Sequence, residues 1–256
     1  MKALMLAAGL ARRLYGDGND DLPKALLSFE GESLLQRHIE ILKDCAVERL
    51  FLVVGHRSDD LIAESERIAP DGFVKTIFNP RYQEGPILSL ACGSPVLRSG
   101  SPLVFMDADV LYHREILHRL VGSPHDTCFV FDREFQSTDD FVKLCLCDGQ
   151  VADFGKALTR EYDTICEWPG LMKMSPEIAA KVADHADYIV TSGEIEGAYE
   201  RAITAVLYSE PMGTFGCEDI TGIPWVEIDY ESDLKKAVTQ IIPRIIRFGE
   251  ESSEKG

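Results

Sequence analysis

Apolar and polar positions along the first half of the chain follow two rhythms in strict turn. The run Ala3-Leu4-Met5-Leu6-Ala7-Ala8 has no polar alternation, which marks a strand at 2–8 buried on both faces, as at the centre of a parallel sheet. Further strand-like runs lie at 49–54, 74–78 and 103–106. Between them the spacing turns helical: Leu34, Leu35, Ile39, Ile41 and Leu42 recur on one face of 34–44, and 59–68 and 87–97 read as helices too. Alternating strand and helix imply right-handed crossovers, hence a mostly parallel sheet covered by helices on both faces.

The rhythm changes after Met106. Short strands are predicted at 127–131, 142–147 and 151–154, with Cys147-Asp148-Gly149-Gln150 as a hairpin turn by its Asp-Gly. These read as antiparallel additions built over the open end of the first half. Helices are expected at 176–184 and about 195–207, then a strand at 224–228 and a last helix at about 232–246, capped by Ser232. The polar segment 249–256 reads as a frayed tail. The expected fold class is α/β: a Rossmann-like three-layer α/β/α sandwich with a mixed, mostly parallel central sheet and small antiparallel additions in the second half. No repeat, linker or composition break divides it, so 1–248 reads as one domain.

Composition narrows the function. The 256 residues are 45% hydrophobic, which suits one domain with a sizeable core, and no apolar run approaches the roughly 20 residues that span a bilayer. The N-terminus has one lysine followed directly by a strand and no small-residue cleavage site, so a cytoplasmic protein is expected. A formal net charge of -17 argues against nucleic acid as partner. A polyphosphate ligand would need a local cationic island. Cys45, Cys92, Cys128, Cys145, Cys147, Cys166 and Cys217 are odd in number and form no CxxC pair, so they read as reduced core residues.

Three segments carry candidate chemistry. In the first, the strand breaks at Gly9, where a side chain would obstruct a phosphate, and Leu10 to Leu14 can present backbone N–H groups. Arg13 and Lys24 supply charge, and the polar, glycine-rich stretch 15–22 between them would close over a ligand. The plainer alternative is an ordinary strand-to-helix loop; it is neither a Walker A loop nor a dinucleotide fingerprint. The second segment, Asp107-Ala108-Asp109, puts two acids at the carboxyl end of a strand, where hard oxygen ligands suit magnesium on phosphates; the alternative is Asp109 as a helix cap. The third is Glu227-Ile228-Asp229, whose alternation sets both acids on one side of a strand end, so that Asp229 can complete a magnesium shell with Asp109.

In this order and spacing, Leu6-Ala7-Ala8-Gly9-Leu10-Ala11-Arg12-Arg13-Leu14 with Pro23-Lys24, then Asp107-Ala108-Asp109, then Glu227-Ile228-Asp229, resemble the nucleotidyltransferases that make activated NDP compounds from an NTP and a phosphorylated acceptor. The likeness covers nearly the whole chain. It is most similar to the small cytidylyltransferases acting on phosphocholine, 2-aminoethylphosphonate or inositol phosphate. Phe131-Asp132-Arg133-Glu134, Asp148-Gly149 and Phe154-Gly155-Lys156 resemble the inositol-phosphate branch.

The resemblance implies an enzyme with Mg2+ as cofactor, an NTP (CTP preferred) and a small phosphorylated or phosphonate acceptor as partners, and a homodimer left open. It implies a nucleotide-binding half at about 1–125 and an acceptor-binding half at about 126–248. Leu6, Ala7, Ala8, Gly9, Leu10, Ala11 and Arg12 would line the nucleotide loop, Arg13 would bind the leaving phosphates, and Lys24 would stabilise the transferred phosphoryl group. Asp109 and Asp229 would hold magnesium with Asp107 beside them, Asn79, Gly85 and Ser89 would meet base and ribose, and Lys156 would meet the acceptor phosphate. Two departures stand out. Ala11 and Arg12 replace a second glycine and a Ser or Thr, and Glu84-Gly85-Pro86-Ile87-Leu88 replaces an Asn-rich stretch.

On the acceptor side the candidates are Lys156, Glu167, Trp168, Tyr199, Glu200 and Glu227. Trp168 and Tyr199 beside carboxylates would suit a cationic ammonium head; the plainer reading makes Trp168 core and the glutamates a solvated face. None of the histidines His38, His56, His113, His118, His125 and His185 has ligand spacing, and none is assigned a catalytic role. A sugar-1-phosphate nucleotidyltransferase using UTP, dTTP, ATP or GTP is the alternative. A nucleotide-sugar glycosyltransferase shares the acid-x-acid motif, and a non-catalytic nucleotide sensor shares the fold. The Arg13 to Lys24 loop argues against the glycosyltransferase, which has no leaving pyrophosphate to neutralise, and Arg13, Lys24, Asp109 and Asp229 together argue against the sensor, which needs no pair of metal carboxylates.

Overall fold

The N-terminal apolar run folds as the strand Lys2–Ala7, seated between two parallel neighbours, Arg49–Val54 and Leu103–Asp107. The computed structural model describes residues 1–16, 21–135 and 141–253, with side chains through residue 250. The central sheet runs in the order Gly216–Asp219, Cys128–Phe131, Leu171–Met174, Leu103–Asp107, Lys2–Ala7, Arg49–Val54, Val74–Phe78. Within it Leu171–Met174 opposes both neighbours, and the other pairings are parallel.

Side-chain alternation decides the layers. Ala3 and Met5 enter one apolar cluster with Leu35, Ile39, Leu61 and Ile116, from the helices Leu34–Asp44, Ser58–Ile68 and Glu115–Gly122. Leu4 enters the other with Leu88, Ile178, Val182 and Ile203, from Pro86–Cys92, Pro176–Ser192 and Glu200–Ser209. This is the α/β/α sandwich that the pattern predicts. Each fully buried aliphatic side chain contributes roughly 1.5–3 kcal/mol.

The antiparallel additions are present as well. Gln150–Gly155, Lys143–Cys147 and Thr164–Glu167 form a three-stranded sheet. Its hairpin turn has φ of 51° at Asp148 and 75° at Gly149, the double positive φ that a type I′ turn requires. A two-stranded ribbon pairs Val110–Tyr112 with Trp225–Glu227 and ties the C-terminal segment to the end of the central strand.

Several elements differ from the pattern. Leu171–Met174 and Gly216–Asp219 are strands that the sequence reading does not mark. The helix expected at 87–97 breaks at Gly93, where an added Cβ would lie 2.6 Å from Leu4 Cδ2, into Pro86–Cys92 and Ser94–Leu97. The next helix extends to Ser192, where Gly193 at φ 83° ends it, and the one after begins only at Glu200. The last helical segment starts at Glu231 with Tyr230, not Ser232, as its cap residue, and Asp233 in its first turn reaches back: its carboxylate accepts from the backbone N–H of Asp229 (3.0 Å) and Tyr230 (2.7 Å). That helical segment passes through a π turn at Ala237–Ile241 and continues as Ile242–Ser253, and residues 254–256 of the expected tail lie outside the described residues. No described helix is long and apolar enough to cross a membrane.

Candidate active site

The ribbon register explains how distant acids meet. Glu227 lies opposite Val110, and the Ile228 N–H donates to the Asp109 carbonyl at 3.0 Å. The Asp109, Glu227 and Asp229 side chains thereby converge, with one carboxylate oxygen of each within 4.8 Å of the others. Lys24, on the 3-10 turn after Pro23, reaches into this group: its Nζ donates to Asp109 Oδ2 at 3.0 Å and to Asp229 Oδ1 at 2.6 Å. Arg13 adds a 2.8 Å ion pair to Asp229. Burial opposes the charge on Lys24, but the two carboxylates outweigh it and raise its pKa.

The remaining acids are crowded. Burial, reinforced by the charge of Asp109, pushes the Asp107 carboxyl well up even though Tyr199 Oη donates to it. Glu227 is pushed up by burial and by the charges of Asp109, Asp229 and Asp107. Such clustered hard oxygens fit a divalent cation. His38 supports them from below. It is buried, its Nε2–H donates to the Ala108 carbonyl, its Nδ1 accepts from Tyr112 Oη (both 3.3 Å), and burial lowers its pKa to about 4, so it stays neutral. Through these bonds it holds the turn that presents Asp109.

The N-terminal loop departs from the strand at Ala8, whose carbonyl accepts from the His56 N–H at 3.2 Å. An added Cβ at Gly9 would meet no protein atom within 4 Å, so any constraint there comes from the cavity it lines. Ala11 is left-handed (φ 53°, ψ 29°) and starts the short helix Arg12–Tyr15. The chain thus keeps the backbone of a glycine with an alanine, at a cost of about 1–2 kcal/mol. Ala11→Gly is therefore expected to leave activity and melting temperature nearly unchanged or slightly improved. Ala11→Val, β-branched at positive φ, should lower stability by about 1–3 kcal/mol, measured by thermal denaturation. Residues 17–20 of the stretch expected to close over a ligand lie outside the described residues.

One cavity of about 450 Å³ gathers nearly all the candidates: Leu6 through Arg13, Lys24, Gly85, Ser89, Asp107, Asp109, Lys156, Trp168, Tyr199, Glu200, Glu227 and Asp229 border it. Asn79 and Glu167 do not. Asn79 is buried behind the wall, where its Nδ2 donates to Ser89 Oγ (3.1 Å) and its Oδ1 accepts from the Arg81 N–H (2.9 Å), shaping the turn that brings Tyr82 and Gln83 to the cavity. Glu167 sits apart; burial pushes its carboxyl up to about 7, with Lys236 opposing and Asp132 and Asp233 adding to the rise. Trp168 borders the cavity but is held by the core: it is 2% exposed, its Nε1 donates to the Leu171 carbonyl (2.8 Å), and its ring stacks on Phe105 and meets Phe129 and Phe154 edge-on. Glu200 is 7% exposed, and among the described residues its Oε2 has no hydrogen-bond partner. Val142 and Ala198 also border the cavity, and nothing in their local sequence marks them.

The basic loop and the acidic cluster meet at the carboxyl end of the central strand, where open α/β sheets bind their ligands. Residues 3–162 match the MobA-like NTP transferase domain family, and the chain belongs to it as a nucleotidyltransferase. A curated relative, the CTP:phosphoglutamine cytidylyltransferase of Campylobacter jejuni, is 22% identical over 92% of this chain and 98% of its own. The 2-aminoethylphosphonate cytidylyltransferase of Lancefieldella rimae is 28% identical over 71% of this chain and 70% of its own. Among solved structures, the CTP:phosphocholine cytidylyltransferase of Streptococcus pneumoniae superposes with TM-score 0.70 at 20% identity, covering 92% of this chain and 96% of that one. The inositol-1-phosphate CTP transferase of T. maritima does so with TM-score 0.72 at 17% identity, covering 95% of each.

Proposed function

We propose that the protein is a magnesium-dependent cytidylyltransferase that transfers CMP from CTP to a small phosphorylated or phosphonate acceptor and releases pyrophosphate. The observation that carries this reading is the meeting of Arg13 and Lys24 with Asp109, Glu227 and Asp229 at one end of the cavity. Cytidine is favoured over other bases by the activities named for the similar proteins.

In this reading the backbone from Ala8 to Ala11 cradles the phosphates and Arg13 binds the departing pyrophosphate. Lys24 neutralises charge on the transferred phosphoryl group, and Lys156 holds the acceptor phosphate. Gly85 and Ser89 border the base and ribose. Asp109, Glu227 and Asp229 would hold magnesium, which supplies further charge neutralisation when bound. An acceptor phosphate oxygen attacks the α phosphorus in line, and pyrophosphate leaves. That oxygen is already ionised near pH 7, so no general base is needed and catalysis consists of positioning and electrostatics.

The test is pyrophosphate release with each NTP crossed with phosphocholine, 2-aminoethylphosphonate, inositol phosphate and glucose-1-phosphate, with magnesium present and with it removed by chelation. CTP with a non-sugar acceptor is the expected pair, active only with metal. Transfer from a nucleotide sugar with no pyrophosphate from any NTP would overturn the reading.

A further inference from the structure

The candidate acceptor lysine, Lys156, directly follows the strand Gln150–Gly155 and opens the loop that leads to Thr164–Glu167. Asp153, three residues earlier, is fully buried and charged chemistry would not be expected there without cause. Its carboxylate accepts four hydrogen bonds. Oδ1 takes the Phe154 N–H (2.8 Å) and Tyr208 Oη (2.5 Å), and Oδ2 takes the N–H groups of Thr159 (2.7 Å) and Arg160 (2.8 Å). The last two belong to the loop itself, so one side chain gathers both sides of Lys156.

The helix Glu200–Ser209 closes the arrangement. Glu200, Thr204 and Tyr208 are four residues apart and share one face. At one end Glu200 borders the cavity. In the middle Thr204 Oγ1 lies 2.8 Å from the Phe154 carbonyl and 2.9 Å from the Glu200 carbonyl. At the far end Tyr208 Oη bonds Asp153 and Thr159 Oγ1 (2.7 Å), and Arg160 stacks its guanidinium over the Tyr208 ring at 4.0 Å and donates to the Tyr208 carbonyl. A single helical face therefore touches the cavity wall and the root of the Lys156 loop together.

We propose that Asp153 and Tyr208 are positioning residues for acceptor binding: they latch the loop so that Lys156 stands in fixed register with Glu200 across the cavity. Neither touches the substrates. The inference rests on the proposed assignment of Lys156 to the acceptor phosphate, and its consequences fall on the acceptor rather than the nucleotide.

Two measurements test it in the full chain. Trypsin cleaves after Lys156 and Arg160, and Tyr208→Phe, which keeps the ring over Arg160, should speed cleavage there by about 3–10-fold while lowering the melting temperature only slightly, as expected for loss of the hydroxyl's hydrogen bonds to Asp153 and Thr159. Asp153→Asn, which loses acceptors for two N–H groups, should speed it further. In pyrophosphate-release assays with CTP and whichever acceptor the wild type uses, Tyr208→Phe should raise the acceptor KM by about 3–10-fold and leave the CTP KM within about 2-fold. In a Lys156→Ala background the same substitution should add nothing to the acceptor KM, because the residue being positioned is gone. Unchanged cleavage at 156 and 160, or equal effects on both KM values, or full additivity with Lys156→Ala, overturns the latch. Absence of pyrophosphate release in the wild type overturns the function reading and the acceptor role with it, and cleavage still reports whether the loop is held.

Discussion

Lys24→Ala is expected to lower turnover by a factor on the order of 10² or more while circular dichroism stays unchanged. The ammonium sits 3.0 Å from Asp109 and 2.6 Å from Asp229, with only 13% of its side chain exposed. Burial alone would lower its pKa, yet the two carboxylates outweigh that and raise it, so the ammonium stays charged near neutral pH. Because the shift is upward, its contribution to stability is whole below the ordinary lysine range and is lost only as pH climbs through the still higher folded value. A fixed positive charge in a partly dry site stabilises developing phosphoryl charge without reorganising. Lys24→Arg should not restore activity, since the broad guanidinium cannot take the place of a point charge between two carboxylates. Removing Lys24 also leaves Asp109 and Asp229 short of a cation, with Arg13 still on Asp229. Melting temperature should therefore fall in the presence of chelator and recover with millimolar MgCl2. Near-normal kcat for Lys24→Ala would place the reacting centre elsewhere.

What the sequence discloses here follows the range of the interactions. The runs 3–8, 50–54 and 103–106 bury residues on both faces of their strands, so their composition alone marks them as sheet centre. Asp109 is legible because it follows such a run, and Asp229 because it ends the alternating segment Val226-Glu227-Ile228. Leu171–Met174 is hidden because Pro169-Gly170 reads as an ending and Lys173 interrupts the apolar pattern. That lysine is nonetheless 6% exposed, its stem lying in the sheet and its Nζ on the Ser123 carbonyl at 2.7 Å. Gly216–Asp219 is hidden because a polar Gly-Cys-Glu-Asp carries no strand signal; at the sheet edge its partner strand supplies the order. The helix Pro176–Ser192 outruns its pattern because Asp184 and Asp187 look like an ending, whereas both pair with Arg98 on the surface.

The site divides in the same way. The acids and Lys156 of the proposed reading lie at strand ends, and Arg13 and Lys24 in the loop and turn that follow the first strand, where residue type and position coincide. Residues that hold them in place are found only in three dimensions. His38 reaches the Ala108 carbonyl across 70 positions and Tyr208 reaches Asp153 across 55. Trp168 shows the converse: its composition suggests a binding aromatic, but the stacking with Phe105, Phe129 and Phe154 makes it a core residue with one face near the cavity.

Asp229→Asn is expected to match Lys24→Ala in its effect on turnover, by a different route that metal titration separates. Asp229 receives both Lys24 and Arg13 and is one of the three carboxylates within 4.8 Å of one another, so it is where the cationic loop and the acidic cluster are joined. An amide keeps the shape but removes the charge, weakening both ion pairs and any divalent cation held with Asp109 and Glu227. Turnover should drop by a factor on the order of 10² or more. The magnesium concentration giving half-maximal rate should rise, and calorimetric titration with Mg2+ or Mn2+ should show weaker binding, whereas Lys24→Ala should leave metal binding intact or stronger because a competing cation has gone. Asp107→Asn provides the internal contrast. Asp107 takes the Tyr199 hydroxyl and is not one of the three carboxylates that lie within 4.8 Å of one another. Its replacement should therefore alter metal dependence less than that of Asp229. If Asp229→Asn retained full turnover with an unchanged metal requirement, the acidic cluster would be a structural feature of the ribbon and not the metal-holding end of the site.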